Sequence, residues 1–248
     1  YNRGDLMEKN VTAFFDIDGT IYRNCLLIEH FKMLVKYEYI NMMTWEGKVK
    51  DKFIKWEKRI GDYDDYLEEL VETYVDALKN YSKADMDFVA RRVIELKGDK
   101  VYKYTRDRIK YHFEKGHKVI IISGSPDFLV EKMAGKFGIT DFRGSEYVID
   151  ENGVFTGEVK PMWDAKNKKR VIDEYCEKYN IDLSKSYAYG DTTGDFTMFK
   201  QVGNAVAINP ARRLLLKIKK DKELMKKVTV VVERKDVIYK LDSNVEIL

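Results

Sequence analysis

Apolar residues along the chain fall into two rhythms. Val11 to Phe15, Val119 to Ile122 and Ala205 to Ile208 are short, nearly continuous apolar runs, the pattern of strands buried on both faces. Between about Leu26 and Lys100 the spacing is helical. Phe31, Leu34 and Val35 form one stripe, and Leu67, Leu70, Val71, Tyr74 and Leu78 a second. Met86, Val89, Ala90, Val93 and Ile94 form a third, behind Ser82-Lys83-Ala84-Asp85, which reads as a capping box. After Tyr102 helices and strands alternate: a helix to Gly116, a strand to Ser123, a helix to Phe137, then an extended stretch. In that stretch Asn152-Gly153 predicts a hairpin turn between Glu146 to Ile149 and Val154 to Glu158. A final extended pair is expected near Val228 to Leu241. Strand-helix alternation predicts a doubly wound parallel α/β sheet with right-handed crossovers. The expected division is an α/β core from residues 7–25 and 101–248, with residues 26–100 inserted as a helical cap.

The first strand runs into Asp16-Ile17-Asp18-Gly19-Thr20. Charges at the end of a buried strand are costly unless chemistry uses them, and a bend at Gly19 can bring both carboxylates to one pocket. Such a pair can divide phosphoryl transfer, one acid attacking phosphorus and the other moving protons. A hard cation, Mg2+, is the expected partner for the accumulated charge. The second strand ends in Ser123-Gly124-Ser125-Pro126-Asp127. Here Ser125 reads as an N-cap, Pro126 as the first helical residue and Asp127 as a first-turn acid, so that Ser123 and the Gly124 amide face an anion. A further strand ends in Tyr189-Gly190-Asp191-Thr192-Thr193-Gly194-Asp195, again with acids at its exit.

In order and composition these segments resemble the haloacid dehalogenase superfamily of phosphatases, in particular the phosphoserine phosphatase-like branch. Asp-Ile-Asp-Gly-Thr matches its D-x-D-x-T signature. The resemblance implies a Rossmann-like core and a helical cap that closes over the site. It makes Asp16 the nucleophile and Asp18 the acid and base. Gly19, Thr20, Ser123 and Gly124 become phosphate-binding, and Asp16, Asp18, Asp191 and Asp195 metal-binding. Asp195 reads equally as a first-turn acid that complements the helix dipole. The branch also places a lysine at a helix start, followed three and four positions later by apolar residues. Lys168, followed by Val171, Ile172 and Tyr175, fits this role as catalytic and phosphate-binding residue, with Lys166 in reserve. A glutamate that reads the phosphoserine ammonium in that branch aligns with Cys25, so phosphoserine is not the expected substrate. Glu29 is one helical turn away as a substitute, and Arg23 could favour an anion.

Composition narrows the setting. Of 248 residues 44% are hydrophobic and 35% charged, which excludes wholesale disorder, and no apolar run is long enough for a bilayer. Cys25 and Cys176 are far apart and suggest no disulfide framework, so a cytoplasmic protein is expected. The opening residues carry no secretory signal, and Met7 is the expected native start. A net charge of +3 does not argue for nucleic acid, and the basic stretch from Arg212 to Lys227 reads as one solvated helix. His30, His112 and His117 are expected to form no cluster, so zinc is not indicated. The resulting expectation is a Mg2+-dependent hydrolase of a small phosphorylated metabolite, with no nucleic-acid or membrane partner and an oligomeric state that the sequence leaves open. A phosphotransferase using the same intermediate, or a non-catalytic phospholigand-binding protein, are the alternatives.

Overall fold

A computed structural model describes residues 9–247; Met7 and the other opening residues lie outside that range. Eight strands form one sheet: β1 (Thr12–Phe15), β2 (Lys118–Pro126), β3 (Asp141–Ile149), β4 (Phe155–Lys160), β5 (Tyr187–Gly190), β6 (Asn204–Ile208), β7 (Val228–Arg234) and β8 (Val237–Asp242). Their spatial order is β4-β3-β2-β1-β5-β6-β7-β8. The inner pairings are all parallel, and only the edge pairs β3-β4 and β7-β8 are antiparallel. This is the doubly wound sheet that the alternation predicts.

Period-two packing fixes the centre of the sheet. Ala13, Phe15 and Ile121 enter one apolar cluster, and Phe14, Ile120 and Ile122 enter the other, on the opposite face. Phe15 stacks on Tyr189 of β5 with ring centroids 4.2 Å apart. Burying each phenylalanine is worth roughly 1.5–3 kcal/mol, and a one-residue slip would send each ring to the wrong face. That holds the exit of β1, and with it Asp16, in place. β1 lies between β2 and β5, and the chain builds the sheet outward through β2, β3 and β4 on one side before crossing to β5, β6, β7 and β8 on the other. The switch point of the sheet therefore lies where the acids emerge.

Five helices stand between β1 and β2: α1 (Leu26–Lys36), α2 (Met42–Glu46), α3 (Lys48–Glu57), α4 (Tyr63–Leu78) and α5 (Lys83–Lys97). They form the inserted helical cap. The two connections to it run side by side, with Arg23 N–H on Lys100 O at 2.9 Å and Tyr102 N–H on Ile21 O at 3.0 Å. A second seam joins the α4-α5 connection to the β3-β4 hairpin. Asn80 N–H bonds Phe155 O at 3.0 Å, Phe155 N–H bonds Tyr81 O at 3.0 Å, and Lys83 N–H bonds Gly153 O at 2.8 Å. On another side Asp62, just before α4, pairs with Arg213 at 2.5 Å. The remaining helices are α6 (Lys103–Glu114), α7 (Asp127–Lys136), α8 (Ala165–Tyr179), α9 (Phe196–Gln201), α10 (Arg212–Lys220) and α11 (Lys222–Lys227). Among the described residues no helix is long and apolar enough to cross a membrane.

Three expectations need correction. The stretch Arg212 to Lys227 is two helices, because the Asp221 side chain accepts from Glu223 N–H and Leu224 N–H and starts a new one. The hairpin strand at Glu146 is the second half of β3, whose first half, from Asp141, pairs in parallel with β2. Two of the histidines do meet: His112 Nδ1 lies 2.9 Å from His117 Nδ1, and His112 Nε2 lies 2.9 Å from the Tyr189 hydroxyl.

Candidate active site

Asp16 follows β1 directly and is anchored by its N–H on Tyr189 O at 3.0 Å. The chain then turns at Gly19, whose φ is +75°. A Cβ there would sit 2.0 Å from Asp191 Oδ2, so only glycine lets the turn pass the second acidic loop. Asp191 follows β5, and Asp195 lies in a short turn of 3-10 helix, Thr193–Asp195. Asp16, Asp191 and Asp195 each bring one carboxylate oxygen within 4.8 Å of the others.

Lys168 is 2% exposed, and its Nζ lies 2.8 Å from Asp16 Oδ1 and 2.6 Å from Asp195 Oδ1. It sits in the first turn of α8, whose N-cap Asp164 accepts from Asn167 N–H, and buried Val171, Ile172 and Tyr175 hold that helix against the core. Lys166, on the same turn, is exposed. Burial disfavours the Lys168 ammonium, but the Asp16 and Asp195 carboxylates outweigh it and raise the group above its usual value. Asp16 is pushed up to about 7, mainly by burial, with Lys168 opposing and Asp195 and Asp18 adding to the rise. Burial also raises Asp191, reinforced by Asp16 and Asp195.

Asp195 is fully committed. Its Oδ1 meets Lys168, and its Oδ2 accepts from Asp191 N–H at 2.9 Å and Thr192 N–H at 3.0 Å. It therefore both shapes the Asp191 loop and belongs to the acid trio. The Thr20 hydroxyl, expected on the phosphate side, is buried and donates to Asp191 Oδ1 at 3.1 Å. Asp18 is the exception among the expected metal ligands. Its side chain lies outside the trio, because Leu26 N–H holds one oxygen at 2.7 Å and the Ser125 hydroxyl the other at 2.5 Å.

Ser123 is buried at the end of β2, and its Oγ accepts from Ser125 N–H at 3.2 Å. The helix starts one residue later than expected. β2 continues through Ser125 to Pro126, which pairs with Ser145 of β3, and Pro126 rather than Ser125 precedes the first helical residue, Asp127. The sequence reading also missed Ser145. Its hydroxyl donates to Gly124 O at 2.7 Å and accepts from Met162 N–H at 3.0 Å, tying this turn to the approach to α8. A lone serine inside a strand gives no sequence signal of that role.

Four buried or half-buried acids thus gather at the carboxyl edge of the sheet, and one lysine pairs with two of them, Asp16 and Asp195. The donor set is all oxygen, the chemistry that hard divalent cations take. Fold and site together define an α/β enzyme with an acid-rich centre at its topological switch point and a helical insertion above it. The model of the haloacid dehalogenase-like hydrolases matches residues 13–200, and the chain belongs to that family. It is 27% identical over 204 residues to the inhibition of morphological differentiation protein of Streptomyces azureus, covering 82% of this chain and 73% of that protein. It is also 27% identical over 196 residues to phosphoserine phosphatase of Archaeoglobus fulgidus, covering 79% of this chain but only 51% of that one. Among solved structures, a protein of unknown function from Bordetella pertussis Tohama I shares the fold with a TM-score of 0.70, at 15% identity over 86% of this chain and 96% of that one. A substrate-bound phosphoserine phosphatase does so with a TM-score of 0.61, at 19% identity over 92% and 95% of the two chains.

Proposed function

We propose that the protein is a Mg2+-dependent phosphomonoester hydrolase that works through an aspartyl-phosphate on Asp16. The observation that carries this reading is Lys168 Nζ, seated between Asp16 and Asp195 within an acid trio at the switch point. An Asp16 oxygen attacks phosphorus as the ester P–O bond breaks, and Asp18 passes a proton to the departing oxygen. Asp18 then takes a proton from the water that attacks the aspartyl-phosphate, which frees phosphate and restores the Asp16 carboxylate. Lys168, the Ser123 hydroxyl and the Gly124 amide stabilise the phosphoryl oxygens. Asp16 and Asp191 would hold Mg2+, with Asp195 behind them, and the ion would offset the charge gathered between carboxylate and phosphate.

Residues 26–100 act in this reading as a cap that excludes water and admits small phosphorylated metabolites. Phosphoserine is not the preferred one. Cys25 stands at the N-cap of α1, buried, and burial pushes its thiol well above its ordinary value, so it remains neutral and pairs poorly with an ammonium. Arg23 is exposed, its guanidinium 5.5 Å from the centre of the Tyr102 ring.

The test is hydrolysis of p-nitrophenyl phosphate with Mg2+ and with chelator, by the native chain and by Asp16→Asn. Turnover is expected only with Mg2+ and only in the native chain, because an amide cannot attack phosphorus. Near-normal turnover by Asp16→Asn would remove the nucleophile assignment. Values of kcat/KM for phosphoserine, phosphoethanolamine, phosphocholine and sugar phosphates then test the substrate reading, which a clear lead for phosphoserine overturns.

A further inference from the structure

The carboxyl group of Asp18 is held from two directions by groups of different kinds. Leu26 N–H, on Oδ1 at 2.7 Å, can only donate. The Ser125 hydroxyl, on Oδ2 at 2.5 Å, can donate or accept. Leu26 opens α1, whose N-cap Cys25 makes no side-chain capping bond, so Asp18 supplies that cap from eight positions upstream. Ser125 is 3% exposed and has little freedom. Its N–H is bound to Ser123 Oγ, and β2 continues past it to the Pro126 pairing with Ser145. The hydroxyl is thus a fixed post on the core, while the opposite donor belongs to the entry of the helical insertion.

We propose that Ser125 is a positioning residue for proton transfer, fixing the Asp18 carboxyl so that Oδ2 serves the leaving group. The inference rests on the hydrolase reading above, in which Asp18 is the acid and base. Because an N–H occupies Oδ1, the mobile proton belongs on Oδ2. As the ester P–O bond breaks, that proton moves from Asp18 Oδ2 to the departing oxygen, and the Ser125 hydroxyl, which donates to the other lone pair of Oδ2, stabilises the new carboxylate. In the second half the attacking water returns a proton to the substrate-facing side of Oδ2, while the Ser125 hydroxyl keeps that oxygen in place.

The measurement is kcat/KM for two substrates, in the full chain and in Ser125→Ala, Ser125→Thr and Asp18→Asn. An alkyl phosphate such as glycerol 2-phosphate needs its leaving oxygen protonated, whereas p-nitrophenolate departs as a stable anion. Ser125→Ala is expected to lose roughly 10- to 100-fold more with the alkyl than with the aryl ester, a fraction of the 10²- to 10⁴-fold span of general acid catalysis. Ser125→Thr should restore most of that difference. Turnover of the aryl ester reports whether each variant is folded. Equal losses on both esters in Ser125→Ala, alongside a leaving-group-dependent loss in Asp18→Asn, overturn the Ser125 inference alone. Equal losses in Asp18→Asn overturn the Asp18 assignment and the inference with it.

Discussion

Lys168 shows what a single side chain can decide at this site. Its Nζ compensates two buried carboxylates, and removing one partner of a buried ion pair typically costs about 3–5 kcal/mol. Lys168→Ala is therefore expected to lower both the melting temperature and turnover sharply, the latter by roughly 10²-fold or more, as for other preorganised charge stabilisers. Lys166→Ala, at an exposed position, should stay within about 0.5 kcal/mol of the native stability and keep its activity. Thermal melts and steady-state kinetics on the two variants check this, and the reverse ranking would refute the assignment. The choice of Lys168 was legible because the apolar positions Val171, Ile172 and Tyr175 orient the helix. Ser125 was not, since Ser-Pro-Asp has the composition of a helix start whether the strand ends before it or after it. The His112–His117 contact escaped for a related reason: the two rings are brought together by the turn that follows α6.

At the level of elements, the strands and the longer helices were readable from period alone, because their apolar residues reach one cluster or the other. Helices α2 and α3 carry no such clean stripe. Among the described residues of α3 only Val49 is fully buried, Trp45, Phe53 and Trp56 pack against the core only in part, and Met42 and Met43 are largely exposed. The turn after β1 is tightly constrained and lies at the site itself. Gly19→Ala would combine a left-handed backbone with a Cβ 2.0 Å from Asp191 Oδ2, so the loop or the acid has to move. A displacement of about 1 Å at a catalytic centre can cost roughly 10²-fold, and a loss of that order in kcat is expected. Normal kcat in Gly19→Ala would show that Asp191 can shift without consequence.

Across the whole molecule, the buried acids link stability to pH. Asp16, Asp18 and Asp191 are each raised chiefly by burial, and for Asp16 the window runs from 3.8 to about 7. Within such a window the folded chain holds more protons than the unfolded one, so stability falls as pH rises. Burial pushes His30 down to about 4 and His112 down to about 3, which acts in the opposite direction, so the acid contribution is read against Asp16→Asn: from about pH 5 to about pH 7.5 the metal-free native chain should lose melting temperature relative to that variant. At roughly 2–4 °C per kcal/mol, the expected difference is on the order of 5 °C or more. Added Mg2+ should remove most of it, because a cation replaces the lost protons. Melting curves of the native chain and of Asp16→Asn, with chelator and with Mg2+ at the two pH values, test this, and the same pH dependence in both chains under chelation would contradict it.

If residues 26–100 cap the site as proposed, the backbone seam between residues 80–83 and the β3-β4 hairpin decides how substrate gets in. A door sewn to its frame along one side can only swing, and the Asp62–Arg213 contact on another side is its latch. Surface ion pairs of this kind are worth at most about 1 kcal/mol, so the latch releases far more readily than the seam. Deuterium should therefore enter α2 and α3 quickly while the amides of Lys83 and Phe155 exchange as slowly as those of β2, and Arg213→Ala should speed the first group without touching the second. Leaving groups would then enter from the latch side, and a long one would trail out past Asp62 rather than along the hairpin.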